Sequence, residues 1–194
     1  MSSKNKKTRK SILEATWKLM ERQCGQGVRM SDIASAAGVS RQAVYLHFDS
    51  RVELMIATTK YVDEVLGLDE RFACLQEAKD GGHALELFVE VWCNYIPEIY
   101  GISKALLLVR DSDEAAAAAW DECMGCLRSA SNEIVDGLDR EGLLSSSWDK
   151  EEAGELLFAM LSVQNWEQLT LGCGWTLAGY VEGMTLMLKR TLLE

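Results

Sequence analysis

Apolar residues recur at three- and four-residue spacing along almost the whole chain, without sustained alternation, so the pattern predicts an all-α protein. Ile12, Leu13, Thr16, Leu19 and Met20 share one face of a first helix expected over about residues 6–23, which Gly25 and Gly27 stop. Ser31 or its neighbour opens a second helix that Gly38 ends, and the Ser40 hydroxyl caps a third. Ser50 and Glu53 form an S-x-x-E capping box that opens a longer fourth helix toward Leu66. Further helices are predicted near 83–100, 102–109, 113–140, 149–171 and 175–193. Gly81-Gly82, Asp111-Ser112-Asp113, Ser145-Ser146-Ser147 and Gly172-Cys173-Gly174 mark the breaks. The sequence has one proline, Pro97, which is expected to break the helix holding Trp92 and Tyr95 and to leave a carbonyl unpaired four residues back.

Between Asp32 and Leu54 the pattern becomes specific. A short helix, a glycine and a second short helix follow one another, with small Ala34 where two steeply crossed helices approach and Gly38 where the backbone turns left-handed. Val44 and Phe48 are four apart and share the buried side of the second of these helices. Arg41, Gln42 and Tyr45 then share the opposite side. Arg41 can donate a bidentate pair to guanine, Gln42 suits adenine, and Tyr45 suits a phosphate or a thymine methyl. That separation of faces is what a helix-turn-helix needs to read a DNA major groove.

Overall charge first argues against a polyanionic partner: 20 Lys+Arg against 30 Asp+Glu give a net charge of −10. The charge is unevenly spread. Residues 1–51 carry ten basic and four acidic side chains, a net +6, while the remainder holds ten basic and twenty-six acidic ones, a net −16. A basic head on an acidic body is the asymmetry expected when one end alone meets nucleic acid. With 194 residues and 48% hydrophobic content, the chain suffices for one large domain or a small one fused to a larger one. The charged N-terminus MSSKNKKTRK lacks the apolar core of a secretory signal, and the 168–181 run is too short to span a bilayer. The expectation is a cytoplasmic protein without a membrane partner, whose six cysteines are reduced thiols.

The stretch GVRMSDIASAAGVSRQAVYLHFDSRVELM resembles the N-terminal signature of the TetR family of bacterial transcriptional repressors. The resemblance rests on D-I-A, on A-G-V-S, on the Y-x-H-F group of Tyr45, His47 and Phe48, and on Arg51 and Leu54, and covers about the first quarter of the chain. It implies a three-helix DNA-binding domain over 1–50 and a larger helical ligand-binding and dimerisation domain over 51–194. It further implies a homodimer through the last two helices, a double-stranded DNA operator and a small-molecule effector that releases it. The family's DNA contacts fall here on Arg29 and Ser31, on Ser40, Arg41, Gln42, Tyr45, Leu46 and His47, and on Arg51. Met30 stands where the family usually has a capping threonine, which moves the expected start of the second helix to Ser31. Asp49 would face phosphate unfavourably. His47 reads as a neutral hydrogen-bonding group to a phosphate or a helix end, since no second histidine or paired carboxylate sits at metal-ligand spacing. Lys4, Lys6, Lys7, Arg9 and Lys10 precede the first helix, either as a solvated tail or as an arm along adjacent phosphates or the minor groove.

In the regulatory part, Trp92, Tyr95, Tyr100, Trp120, Trp166 and Trp175 lie on helices expected to surround one cavity. Core packing and pocket lining are both open to them, and Trp92, Tyr95, Trp120 and Trp166 are the candidates to line a ligand pocket. Glu167 continues the line of Leu156, Met160 and Val163. Either the stripe runs out toward solvent there, or the acid pairs with a cationic ligand group or the partner subunit. Cys123 and Cys126 spell C-x-x-C one helical turn apart, a structural pair of thiols or, alternatively, a redox sensor. Leu177, Val181, Met184 and Leu188 form a stripe on the last helix, with Gly179 and Gly183 alongside to admit a second helix closely. No nucleophile–base pair, phosphate loop or metal set emerges, and no cofactor is implied. An enzyme acting on a hydrophobic small molecule is therefore the weakest alternative to a ligand-responsive regulator.

Overall fold

The helical periodicity is realised throughout. The computed structural model describes residues 3–22 and 28–193, and among them ten α-helices form and no β-strand. They are α1 (Ser3–Arg22), α2 (Met30–Ala37), α3 (Arg41–Tyr45), α4 (Arg51–Leu66), α5 (Leu68–Phe72), α6 (Gly81–Val109), α7 (Glu114–Arg140), α8 (Lys150–Met160), α9 (Val163–Trp166) and α10 (Leu177–Leu192). A 3₁₀ turn, Ala73–Glu77, follows α5, and a π-helical turn, Glu167–Gly172, follows α9. No helix among the described residues is long and apolar enough to cross a membrane.

The chain forms two compact units, one of Met1–Leu66 with Ile99–Cys123 and the other of Gly67–Glu98 with Met124–Glu194. The unit that holds the helix-turn-helix also includes α4 and the 99–123 stretch. In it, α1 packs on α2 and α4, and α2 on α3. Ile12, Leu13, Ile33, Val44, Phe48, Leu54 and Val62 are buried there together with Ile102, Leu106 and Trp120. Thr16 and Thr58 are buried too, because each hydroxyl donates back to the carbonyl four residues earlier, Ile12 at 2.8 Å and Leu54 at 2.7 Å. In the other unit Leu85, Phe88, Tyr95, Leu138, Leu157 and Tyr180 are buried, and Phe72 stacks on Phe88 with centroids 5.5 Å apart. Arg71 grips Glu98 through two bonds of 2.6 and 2.9 Å and lies over the Tyr95 ring.

Several expectations are corrected. The first helix opens at Ser3, so Lys6, Lys7, Arg9 and Lys10 lie on it rather than ahead of it. Its expected stop at Gly25 and Gly27 falls outside the described residues. The second helix starts at Met30, the neighbour of Ser31, so the missing threonine does not delay it. Pro97 does not break α6, which runs on through Gly101. A proline inside a helix costs about 3 kcal/mol, but Tyr95, Ile96, Ile99 and Ile102 are buried on both sides of it, and that packing outweighs the loss of one N–H. Conversely, the segment predicted as one helix over 149–171 is interrupted at Leu161-Ser162. Ser162 caps the restart by accepting from the Asn165 amide at 3.3 Å, while the Leu161 carbonyl receives the Trp92 indole N–H at 2.7 Å. The backbone groups freed at the break are thus satisfied within the protein.

Candidate nucleic-acid interface

The DNA-reading candidate is built from local signals. Gly38 adopts φ 68°, ψ 33°, a left-handed conformation that an L side chain rarely takes, and its N–H bonds back to the end of α2. Two residues later the Ser40 hydroxyl accepts the Ala43 N–H at 3.1 Å, which starts α3. Val44 and Phe48 are fully buried, and the Arg9 guanidinium covers the Phe48 ring at 4.7 Å. Arg41, Gln42, Tyr45 and Leu46 are exposed, Leu46 at 84%. The two faces expected of this helix are therefore separated as its spacing requires. Arg41 also sits over the Tyr45 ring at 5.7 Å, a contact that narrows the directions its fork can take.

Around this helix lie the other expected contacts. Arg29, Ser31 and Ser40 are exposed, and His47 is half-buried beside Phe48. Arg29 occupies the N-cap of α2 with extended backbone and gives no side-chain cap. Ser50 caps α4 by accepting the Glu53 N–H at 3.0 Å, but the Glu53 carboxylate closes on the N–H of Asp49 at 2.6 Å rather than on that of Ser50. The exposed Asp49 thereby ties its own backbone to α4.

Arg51 is placed differently from the other basic residues. Its Nε donates to the Val28 carbonyl at 2.7 Å and its Nη1 to Asp113 Oδ1 at 2.5 Å. Asp113 also accepts from the amides of Ala115 and Ala116, at 3.1 and 3.2 Å, and so caps α7. Burial pushes the Asp113 carboxyl up, but the Arg51 guanidinium and those two amides outweigh it and hold the group below the ordinary carboxylate range. Val28, Arg29, Met30, Ser31, Arg41, Arg51 and Asp113 together line a depression of about 430 Å³. In the sequence Asp113 stands only in a helix break, and nothing local announces a partner 62 positions away.

The expected ligand-side residues are distributed between the two units. Trp92, Tyr95 and Trp166 are buried in one, Trp120 in the other, and Glu167 is half-buried at the start of the π-helical turn. In the unit that holds Trp92, the Tyr180 phenol meets the Cys93 thiol, whose pKa burial pushes up to about 12. A depression of about 690 Å³ in the same unit is lined by Lys79, Asp80, Glu133, Asp136, Arg140 and Lys150 among others, and contains none of the aromatic candidates. Cys123 is half-buried and Cys126 exposed on α7. On α10 the buried stripe is Tyr180, Met184, Leu188 and Leu192, and Leu177 lies outside it. A Cβ on Gly183 would stand 2.8 Å from Trp175, so within the chain this glycine seats an indole.

The comparisons with known proteins agree with this head. Residues 12–58 match the family model described as bacterial regulatory proteins, tetR family. The fold is similar over nearly the full length to several solved structures. The fatty acid degradation regulator FadR from Bacillus halodurans superposes with TM-score 0.73 at 20% identity, covering 94% of each chain. The transcriptional regulator FadR from Bacillus subtilis, solved with stearoyl-CoA, gives 0.74 at 15%, covering 93% of this chain and 97% of that one. NalD, the secondary repressor of the MexAB-OprM multidrug efflux pump in Pseudomonas aeruginosa, gives 0.71 at 18%, covering 99% and 98%. At these identities the likeness concerns the fold. No curated protein sequence matches the chain.

Proposed function

We propose that this chain, a TetR-family regulator by its residues 12–58, is a homodimeric transcriptional repressor released from its operator by a small molecule. The observation that carries the reading is α3 itself: buried Val44 and Phe48 behind, exposed Arg41, Gln42, Tyr45 and Leu46 in front, on a helix capped by Ser40. Arg41 and Gln42 address base edges, Tyr45 and Leu46 a phosphate and a thymine methyl, while Arg29, Ser31, Ser40 and His47 hold the backbone.

The dimer forms through α10 and the 149–171 segment. Leu171, Trp175, Leu177, Leu186 and Met187 are exposed there, an apolar surface that a second copy would cover. The effector is a partly apolar molecule, and Trp92, Tyr95, Trp166 and Glu167, which share one unit, are the residues to bind it. The stearoyl-CoA held by the Bacillus subtilis FadR structure is in keeping with that class. Effector binding favours an arrangement of the two heads that no longer fits the operator, which requires differential affinity for the two arrangements.

The test is selection of duplexes from a random pool by the purified protein. The expected product is a near-palindrome whose half-sites lie one helical turn, or a multiple, apart. Enrichment of unpaired single sites, or of nothing, would overturn the reading.

A further inference from the structure

The start of α2 presents a problem of support. Its N-cap residue, Arg29, offers no side-chain cap, yet Arg29 and Ser31 there are proposed to hold DNA. What fixes this point is the Arg51 guanidinium, which donates to the carbonyl of Val28, the residue just before the cap. Arg51 is held in turn by Asp113, and Asp113 is held by the first turn of α7 through the Ala115 and Ala116 amides. Arg51 and Asp113 side chains are only 26% and 14% exposed, so the pair is weakly screened by salt. The planar fork, used at Nε and Nη1 together, leaves little freedom to reorient. Of the three arginines around the 430 Å³ depression, Arg29 and Arg41 are exposed, whereas Arg51 is already neutralised.

We infer that Asp113 is a positioning residue for operator recognition: through Arg51 it fixes the Val28 carbonyl and the start of α2, and Arg51 serves as this strap and not as a phosphate contact. The inference rests on the DNA-reading proposal and adds a route by which α7 governs it. A shift of the first turn of α7, where Asp113 is held, acts on Val28 through two charge-assisted bonds.

Fluorescence anisotropy over a salt series, with the duplex selected by the intact protein and a scrambled duplex of equal length, tests this. Asp113→Ser keeps a good N-cap but is too short to reach Arg51. It and Arg51→Gln should each lower the preference for the selected duplex about tenfold, the size of one charge-assisted bond. The double variant should be no worse than either single one. Asp113→Asn, which retains an acceptor at the same reach, should recover part of the loss. Arg51→Gln and Asp113→Ser should change the salt slope alike, because both act through Arg29, whereas Arg29→Gln should make it shallower by about 0.9, the loss of one phosphate contact. Hydrogen exchange at the amides of residues 30–33 should quicken in both strap variants while α1 and α4 stay protected. A salt slope shallower for Arg51→Gln than for Asp113→Ser, or unchanged preference and exchange for Asp113→Ser, overturns the inference. Failure of the wild-type protein to prefer any duplex would instead overturn the DNA-reading proposal beneath it.

Discussion

Helices α3 and α10 are both amphipathic, and they present opposite chemistries outward. α3 is five residues long and shows Arg41, Gln42 and Tyr45, side chains whose worth lies in directed hydrogen bonds. α10 is sixteen residues long and shows Leu177, Leu186 and Met187, whose worth lies in being covered. A short helix suffices for the first task because Val44 and Phe48 hold it from behind, and a few well-aimed donors discriminate among bases. The second task needs area, since apolar burial contributes only about 25 cal/mol per Å². Under the proposed function, the difference teaches that recognition of DNA rests on a few residues, while pairing of subunits would be spread over a surface.

The largest expected effect on DNA binding comes from attacking the spread surface. Leu186→Asp combined with Met187→Asp places two charges on exposed positions, so the subunit should stay folded while the dimer dissociates in analytical ultracentrifugation. Affinity for a two-half-site duplex should then fall about 100-fold or more as the heads bind singly. A variant that remains dimeric would move the interface elsewhere. Next comes the support of α3: Phe48→Ala should lower unfolding free energy by about 3–5 kcal/mol, since it empties a fully buried ring position. A smaller loss would mean that Arg9 and the neighbouring core close over the gap.

The contrast extends to what the amino-acid pattern discloses. α3 was legible because each of its determinants is local: a left-handed glycine, a serine whose hydroxyl accepts the N–H three residues on, and anchors four apart. α10 was legible as a helix, and Met184 and Leu188 lie on its buried stripe, but that stripe runs on through Tyr180 and Leu192 rather than Leu177, and Gly183 meets Trp175 of its own chain. The same holds elsewhere. Pro97 was expected to break a helix that buried neighbours keep whole, and a break at Leu161 was missed because its carbonyl finds the Trp92 indole, 69 positions away. The Arg51–Asp113 pair, 62 positions apart, carried no local signal at all. The short helix α5 and its 3₁₀ continuation also went unforeseen, since Arg71 is fixed by Glu98 and Phe72 by Phe88, both on α6. Residues that act through their own turn are readable, and those that act through tertiary partners are not.

That missed break supplies a third, smaller effect. Trp92→Phe keeps most of the apolar contact but removes the donor to the Leu161 carbonyl, so stability should drop by about 1–3 kcal/mol in denaturant titration. An unchanged midpoint would mean that water or another donor replaces the indole.

The smallest effect is one of pH. The folded Asp113 carboxyl lies below its ordinary range, so the stability it contributes is complete above the unfolded value of about 3.9 and is lost as pH falls through the folded value. Thermal melts should therefore show a constant gap between wild type and Asp113→Asn from pH 8 to 5, narrowing only in stronger acid. A gap that changes near neutrality would assign the difference to another group.

The central claim, that α3 reads bases through a few directed side chains, is tested most directly by measuring binding to the selected duplex and to its single-base variants with wild type and Arg41→Ala. The account predicts that Arg41→Ala loses about 1–3 kcal/mol of discrimination at one base pair per half-site and retains discrimination at the others, with the dimer intact. Equal weakening at every position, or no change at any, would contradict it.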